Sequence, residues 1–132
     1  MMVTRVNPPG LARPSGFSHA VVAEGSRVVF LAGQTGVDAT GAIVAGGLLA
    51  QFEQALANLL AALEGAGGRP EQLASLTVYI VDMADYRARA RDIGAVWQRL
   101  VGRDYPAMAG IGVARLWDAE AVVELQGAAV LP

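Results

Sequence analysis

Between residues 48 and 66 the apolar side chains fall at Leu49, Phe52, Leu56, Leu59, Leu60 and Leu63. That is one stripe with the 3.6-residue repeat of an amphipathic helix. Gly65, Gly67 and Gly68 stop it, as glycines do past a helix C-terminus. A second stripe, Met83, Tyr86, Ala90, Ile93, Trp97 and Leu100, predicts one helix running on to Gly102. Asp82 is its expected N-cap, and Asp85 favours the positive end of the helix dipole. Arg87, Arg91 and Asp92 fall off this stripe.

Elsewhere the pattern is that of strands. Residues 17–23 and 27–32 are short runs rich in β-branched and apolar residues, separated by Glu24-Gly25-Ser26, and they read as a hairpin. Ile43-Val44 suggests a brief third strand. Residues 75–81 (Ser-Leu-Thr-Val-Tyr-Ile-Val), 107–115 and 121–130 supply the rest, with the last two joined near Trp117-Asp118. Residues 1–16 hold Pro8, Pro9 and Pro14 and are expected to form an extended arm without a ladder. The expected fold is α+β: a single sheet of about five to six strands, with two helices packed on one face, in one domain spanning residues 1–132. The other face would carry Val and Ala side chains, and such a face calls for a partner.

Composition narrows the chemistry. A chain of 132 residues, 54 % hydrophobic but only 6 % aromatic, builds its core from Ala, Val, Leu and Ile. The net charge of −2 argues against a nucleic-acid partner, which needs a basic face. All ten basic residues are arginine, so no lysine is available for Schiff-base chemistry. The chain contains no cysteine and one histidine, His19, which removes thiolate catalysis, disulfides and a multi-histidine metal cage. No metal and no cofactor are expected. Residues 1–16 contain no apolar run of the signal-peptide kind, and no stretch approaches the ~18 apolar residues of a membrane span. A cytoplasmic protein without a membrane partner is the expectation. Gly33 to Gly36 is no phosphate loop, because neither the Lys-Ser/Thr pair nor an immediate helix follows it.

One segment carries most of the functional information. It runs Tyr105-Pro106-Ala107-Met108-Ala109-Gly110-Ile111-Gly112-Val113-Ala114-Arg115-Leu116 and continues to Val122-Val123-Glu124-Leu125-Gln126. Upstream stand Phe17-Ser18-His19-Ala20-Val21, Phe30-Leu31-Ala32-Gly33-Gln34, Gln54-Ala55-Leu56-Ala57-Asn58-Leu59 and Thr77-Val78-Tyr79-Ile80-Val81-Asp82-Met83. In this order and spacing they resemble the RidA family, also called YjgF or L-PSP, from about residue 14 to residue 130. The resemblance implies a fold similar to chorismate mutase, a homotrimer, and a small-molecule pocket at each subunit interface. It also implies hydrolysis of enamine or imine acids such as 2-aminoacrylate to a keto acid and ammonia. In the family an arginine grips the substrate carboxylate in a bidentate pair, and a strand glutamate and a backbone carbonyl handle nitrogen and water.

Carried over residue by residue, Glu124 falls on the catalytic glutamate and Gly33 on the pocket-lining glycine. Met108 falls on the arginine, Phe17 on a pocket tyrosine, and Ala90 where many members have asparagine. His19 shares a strand face with Phe17, which puts it among the ligand-binding candidates as a proton carrier; the other reading is a surface or interface histidine. Glu124 is either an acid/base group in a partly apolar pocket or a solvated glutamate beside Gln126. Met108 either lines the pocket or is ordinary core. Arg115 is seven positions from Met108, an odd separation that on an unbroken strand places the two on opposite faces. Arg87, Arg89 and Arg91 read as a solvated helix face. The resemblance thus implies a divergent deaminase-like hydrolase acting on a small C=N-type or amide metabolite, weak or inactive on 2-aminoacrylate. The alternative is a non-catalytic trimer that binds a small metabolite or serves a protective or regulatory role. An endoribonuclease activity finds no support in the residues.

Overall fold

The computed structural model describes residues 3–132; Met1 and Met2, the start of the expected arm, lie outside the described residues. In chain order come β1 (Val3–Val6), β2 (Ala20–Ala23), β3 (Arg27–Gln34), α1 (Gly47–Gly65), β4 (Leu73–Ile80), α2 (Met83–Ala88), α3 (Ala90–Leu100), β5 (Ala107–Gly112) and β6 (Val123–Leu131). Four strands form a mixed sheet in the order β3-β6-β4-β5. Strand β6 runs antiparallel to both neighbours, and β4 runs parallel to β5, with α2 and α3 in the crossover between them.

Period-two alternation decides what each face carries. Val123, Leu125, Ala129 and Leu131 of β6 and Leu76, Val78 and Ile80 of β4 point one way, and all are at most 2 % exposed. They pack under Phe52, Leu56, Leu59 and Leu63 of α1 and Ile93, Val96 and Trp97 of α3. The alternate residues, Glu124, Gln126 and Ala128 of β6 and Ser75, Thr77 and Tyr79 of β4, point the other way. No helix among the described residues covers that second face, and Phe30 and Val28 of β3 stand on it 84 % and 56 % exposed. The expected α+β class, with helices on one face, is what forms.

Several local expectations differ. Strands β2 and β3 do not form a hairpin. Strand β2 pairs instead with β1 (Val3↔Ala23 to Val6↔Ala20), so part of the expected arm is a ladder after all, ending just before Pro8. Strand β3 pairs with β6 (Val28↔Val130, Phe30↔Ala128). The link at residues 24–26 steps from the two-stranded ribbon to the sheet, held where the Ser26 N–H donates to the Leu131 carbonyl at 3.0 Å. The six strands therefore divide between two sheets. Ile43 makes only a single bridge, to Val37. The second helix is broken at Arg89, whose φ of −104° and ψ of 15° leave the helical region. No proline or glycine marks that break. Asp82 caps α2 as expected, accepting from the Asp85 N–H at 3.0 Å.

Two buried polar groups tie loops to this frame. Gln51 of α1 is 5 % exposed; its amide donates to the Glu120 carbonyl at 3.1 Å and accepts from the Val122 N–H at 2.9 Å. This brace holds the segment leading into β6, and so the strand carrying Glu124. Gln51→Leu leaves that N–H and carbonyl unpaired and is expected to destabilise the fold by about 1–3 kcal/mol. Urea denaturation measures this, and a change below ~0.5 kcal/mol, the size of an ordinary surface substitution, would refute the brace. Ser18, 4 % exposed, donates its hydroxyl to the Tyr105 carbonyl at 2.7 Å and its N–H to the Pro106 carbonyl at 3.0 Å. That pair fixes the segment around Phe17 beside the start of β5.

Candidate functional site

The candidate residues gather at two places, on opposite faces of the sheet. On the bare face, Glu124 lies directly across from Tyr79 of β4. A bulge in β3 between Leu31 and Gln34 brings Gly33 against it. A methyl group on the Gly33 α-carbon would sit 2.5 Å from Glu124 Oε2, so the carboxylate occupies the space that any side chain at position 33 would need. The Tyr79 hydroxyl donates to Gln126 Oε1 at 3.0 Å, so the polar side chains of β4 and β6 on this face are linked beside Glu124. Glu124 itself is half-buried.

On the helix face, Met108 pairs with Leu76, whose side chain is in the core. Met108 packs at the edge of that core and lines a cleft of about 550 Å³ between β5 and α3. Phe52, Ile93 and Trp97 form its buried floor. The Trp97 indole N–H donates to the Asp104 carbonyl at 3.2 Å, and its ring stacks on Tyr105 at 5.2 Å. Burial pushes the Tyr86 phenol up to about 12, so this wall of the cleft carries a neutral hydroxyl at any physiological pH. A smaller hollow of about 210 Å³ continues past Met108 to Phe17. His19 packs edge-on against the Phe17 ring at 5.0 Å, and its Nε2 lies 2.7 Å from the Ala12 carbonyl.

Within one chain, then, the fold joins Gly33 to Glu124 and joins Phe17 to Met108, with His19 behind Phe17. It does not join the two groups. Ser18 bridges Ala107 at the start of β5, whereas Glu124 pairs with Tyr79 near the far end of β4. Arg115 does not return to Met108: β5 ends at Gly112, which lies about 13 Å along the strand from Met108 at ~3.3 Å per residue. The Arg115 guanidinium donates to the carbonyls of Leu116 and Trp117 at 3.1 and 3.2 Å. Ala90 lies on the cleft wall and is exposed. Among the described residues no group of three or more His, Asp or Glu stands where it can hold a metal ion. No helix among them is long and apolar enough to cross a membrane.

The periodicity did not reveal Arg91 and Gly94, two further cleft residues on α3. Arg91 is exposed, as a solvated helix face requires, and at the same time borders the cleft.

Residues 10–131 match the family model described as endoribonuclease L-PSP. The RutC family protein UK114 of Drosophila melanogaster is 33 % identical over 111 residues, which cover 83 % of this chain and 75 % of that one. The human 2-iminobutanoate/2-iminopropanoate deaminase is 28 % identical over 116 residues, covering 87 % and 79 % respectively. Among solved structures, a Rid-family protein of unknown function from Yersinia pestis superposes with a TM-score of 0.86 at 37 % identity, over 99 % of this chain and 100 % of that one.

Proposed function

We propose that this chain, which belongs to the endoribonuclease L-PSP (RidA/YjgF) family, is a hydrolase of the enamine/imine deaminase kind whose site is completed between subunits of a homotrimer. The observation that carries this reading is the placement of Glu124 against Gly33 on a sheet face that no helix covers and on which Phe30 and Val28 stand exposed. A second copy seated on that face would bring its own Met108–Phe17 cleft to the carboxylate. Opposite faces of one chain cannot meet, whereas faces of two chains can.

In the proposed reaction, an enamine first tautomerises to the imine. Water adds to the imine carbon, and Glu124 takes a proton from that water and passes it to the nitrogen. This gives a carbinolamine; its hydroxyl proton then passes through Glu124 to the amine, the carbon–nitrogen bond breaks, and ammonia leaves as the carbonyl forms. Glu124 thus serves as base and then acid. Deaminase names among relatives at about 30 % identity support this class.

We place Met108 at the position of the family's carboxylate-binding arginine. A carboxylate next to the reacting carbon would then lie near Glu124 without a cation, which is strongly penalised in a partly buried site. The reacting end of the substrate is therefore neutral. Turnover of 2-aminoacrylate is expected to be at least ~100-fold below that of an arginine-bearing relative, the scale of losing a transition-state contact of about 3 kcal/mol. Arg115→Ala is expected to leave it unchanged. Turnover equal to the relative's, abolished by Arg115→Ala, would overturn the neutral-end reading.

A further inference from the structure

We infer that the cleft between β5 and α3 binds a small acid with an apolar body, the body lying on Met108 and Trp97 and the anionic group held at the mouth by Arg91. Arg91 is the only residue with a formal charge at neutral pH among those lining the cleft. It is exposed, whereas the floor residues Phe52, Ile93 and Trp97 are at most 7 % exposed. The polarity of the cleft is therefore graded, apolar inside and cationic at the rim. Neighbouring Arg89 is already engaged by Asp85 at 2.9 Å, whereas among the described residues Arg91 has no ion pair.

Gly94 provides a second, independent observation. It sits in the middle of α3, where glycine is a poor helix residue, and it lines the same cleft. A methyl group built there would meet nothing within 4 Å. Flanked by Ala90 and Ala95, it leaves that wall of the helix low and the cleft open. A volume of about 550 Å³ is within the range of small-molecule sites, about 300–1,000 Å³. A three-carbon acid would leave much of it to water.

This proposal rests on the Met108 cleft being the ligand end of the site, and it concerns binding alone. It is therefore tested by calorimetry, with no turnover involved. Hexanoate is the probe; hexanamide and acetate are the controls. Hexanoate is expected to bind about tenfold more tightly than either, one charge-assisted contact separating it from the amide. Arg91→Gln should bring hexanoate down to the level of hexanamide, and Arg91→Lys should restore part of the difference. Gly94→Leu should fill the cleft and remove hexanoate binding while leaving the thermal midpoint equal or higher. A folding defect would lower both together. Equal affinity for hexanoate and hexanamide, or an Arg91→Gln protein that binds hexanoate as well as the wild type, would overturn the proposal. A Glu124→Gln protein with undiminished hydrolysis, or a wild type that releases no ammonia, would overturn the hydrolase reading while intact hexanoate binding left this inference standing, so the two proposals fail separately.

Discussion

Glu124→Gln is expected to lower hydrolysis of any imine substrate by about 100-fold or more, the usual worth of a positioned acid/base group. The substitution keeps the size of the side chain and removes only its ability to accept and return a proton. The residue is half-buried on the bare face, and its neighbours Val123 and Leu125 carry the packing, both at 0 % exposure. Thermal midpoint and assembly state should therefore match the wild type. Gly33→Ala probes the same carboxylate by geometry. Its added methyl would stand 2.5 Å from Oε2, so the flexible carboxylate must swing aside. A smaller loss of kcat is expected, again with the fold intact. Steady-state ammonia release measures both. A Glu124→Gln protein with undiminished kcat would remove Glu124 from the chemistry. A wild type that binds ligand but releases no ammonia would favour the non-catalytic binding protein.

Phe30→Glu is expected to convert the protein to monomers and to abolish turnover at the same time. Phe30 is 84 % exposed, beside Val28 at 56 % and across from Ala128, with Ile111 at 44 % on the same face. Withdrawing about 150 Å² of aromatic surface from a contact costs about 4 kcal/mol at roughly 25 cal/mol per Å². An uncompensated carboxylate in its place adds a desolvation penalty. Light scattering coupled to gel filtration reads the assembly state, and ammonia release reads the activity. Phe30 is not itself a site residue, and each mutant chain keeps its Glu124, Gly33, Met108 and Phe17. Activity is lost because the two half-sites lie on opposite faces. A monomeric variant with full activity would show that one chain holds a complete site.

The candidate residues were visible in the chain one at a time, whereas their grouping was not. The stripes of α1 and of residues 83–100, the alternation in β4 and β6, and Asp82 as a cap follow from local rules in which a side chain's direction depends on its place in a repeat. The ladder partners do not follow from such rules. A short polar link between residues 23 and 27 suits a hairpin, yet β3 pairs with β6 and β2 with β1, because period two says which face a residue takes and nothing about the neighbouring strand. Likewise, nothing local announces the break at Arg89, where neither proline nor glycine stands.

Read alone, the order of residues determines the α+β class, the face that the helices cover, and Glu124, Gly33, Met108, Phe17 and His19 as candidates. Tertiary structure decides that Gly33 meets Glu124 while Phe17 meets Met108, and that a sheet one strand thick separates the pairs. The physical reason is distance along the chain. Helix and strand patterns act over a few residues, but Gly33 and Glu124, ninety-one positions apart, meet only after β6 has been inserted between β3 and β4.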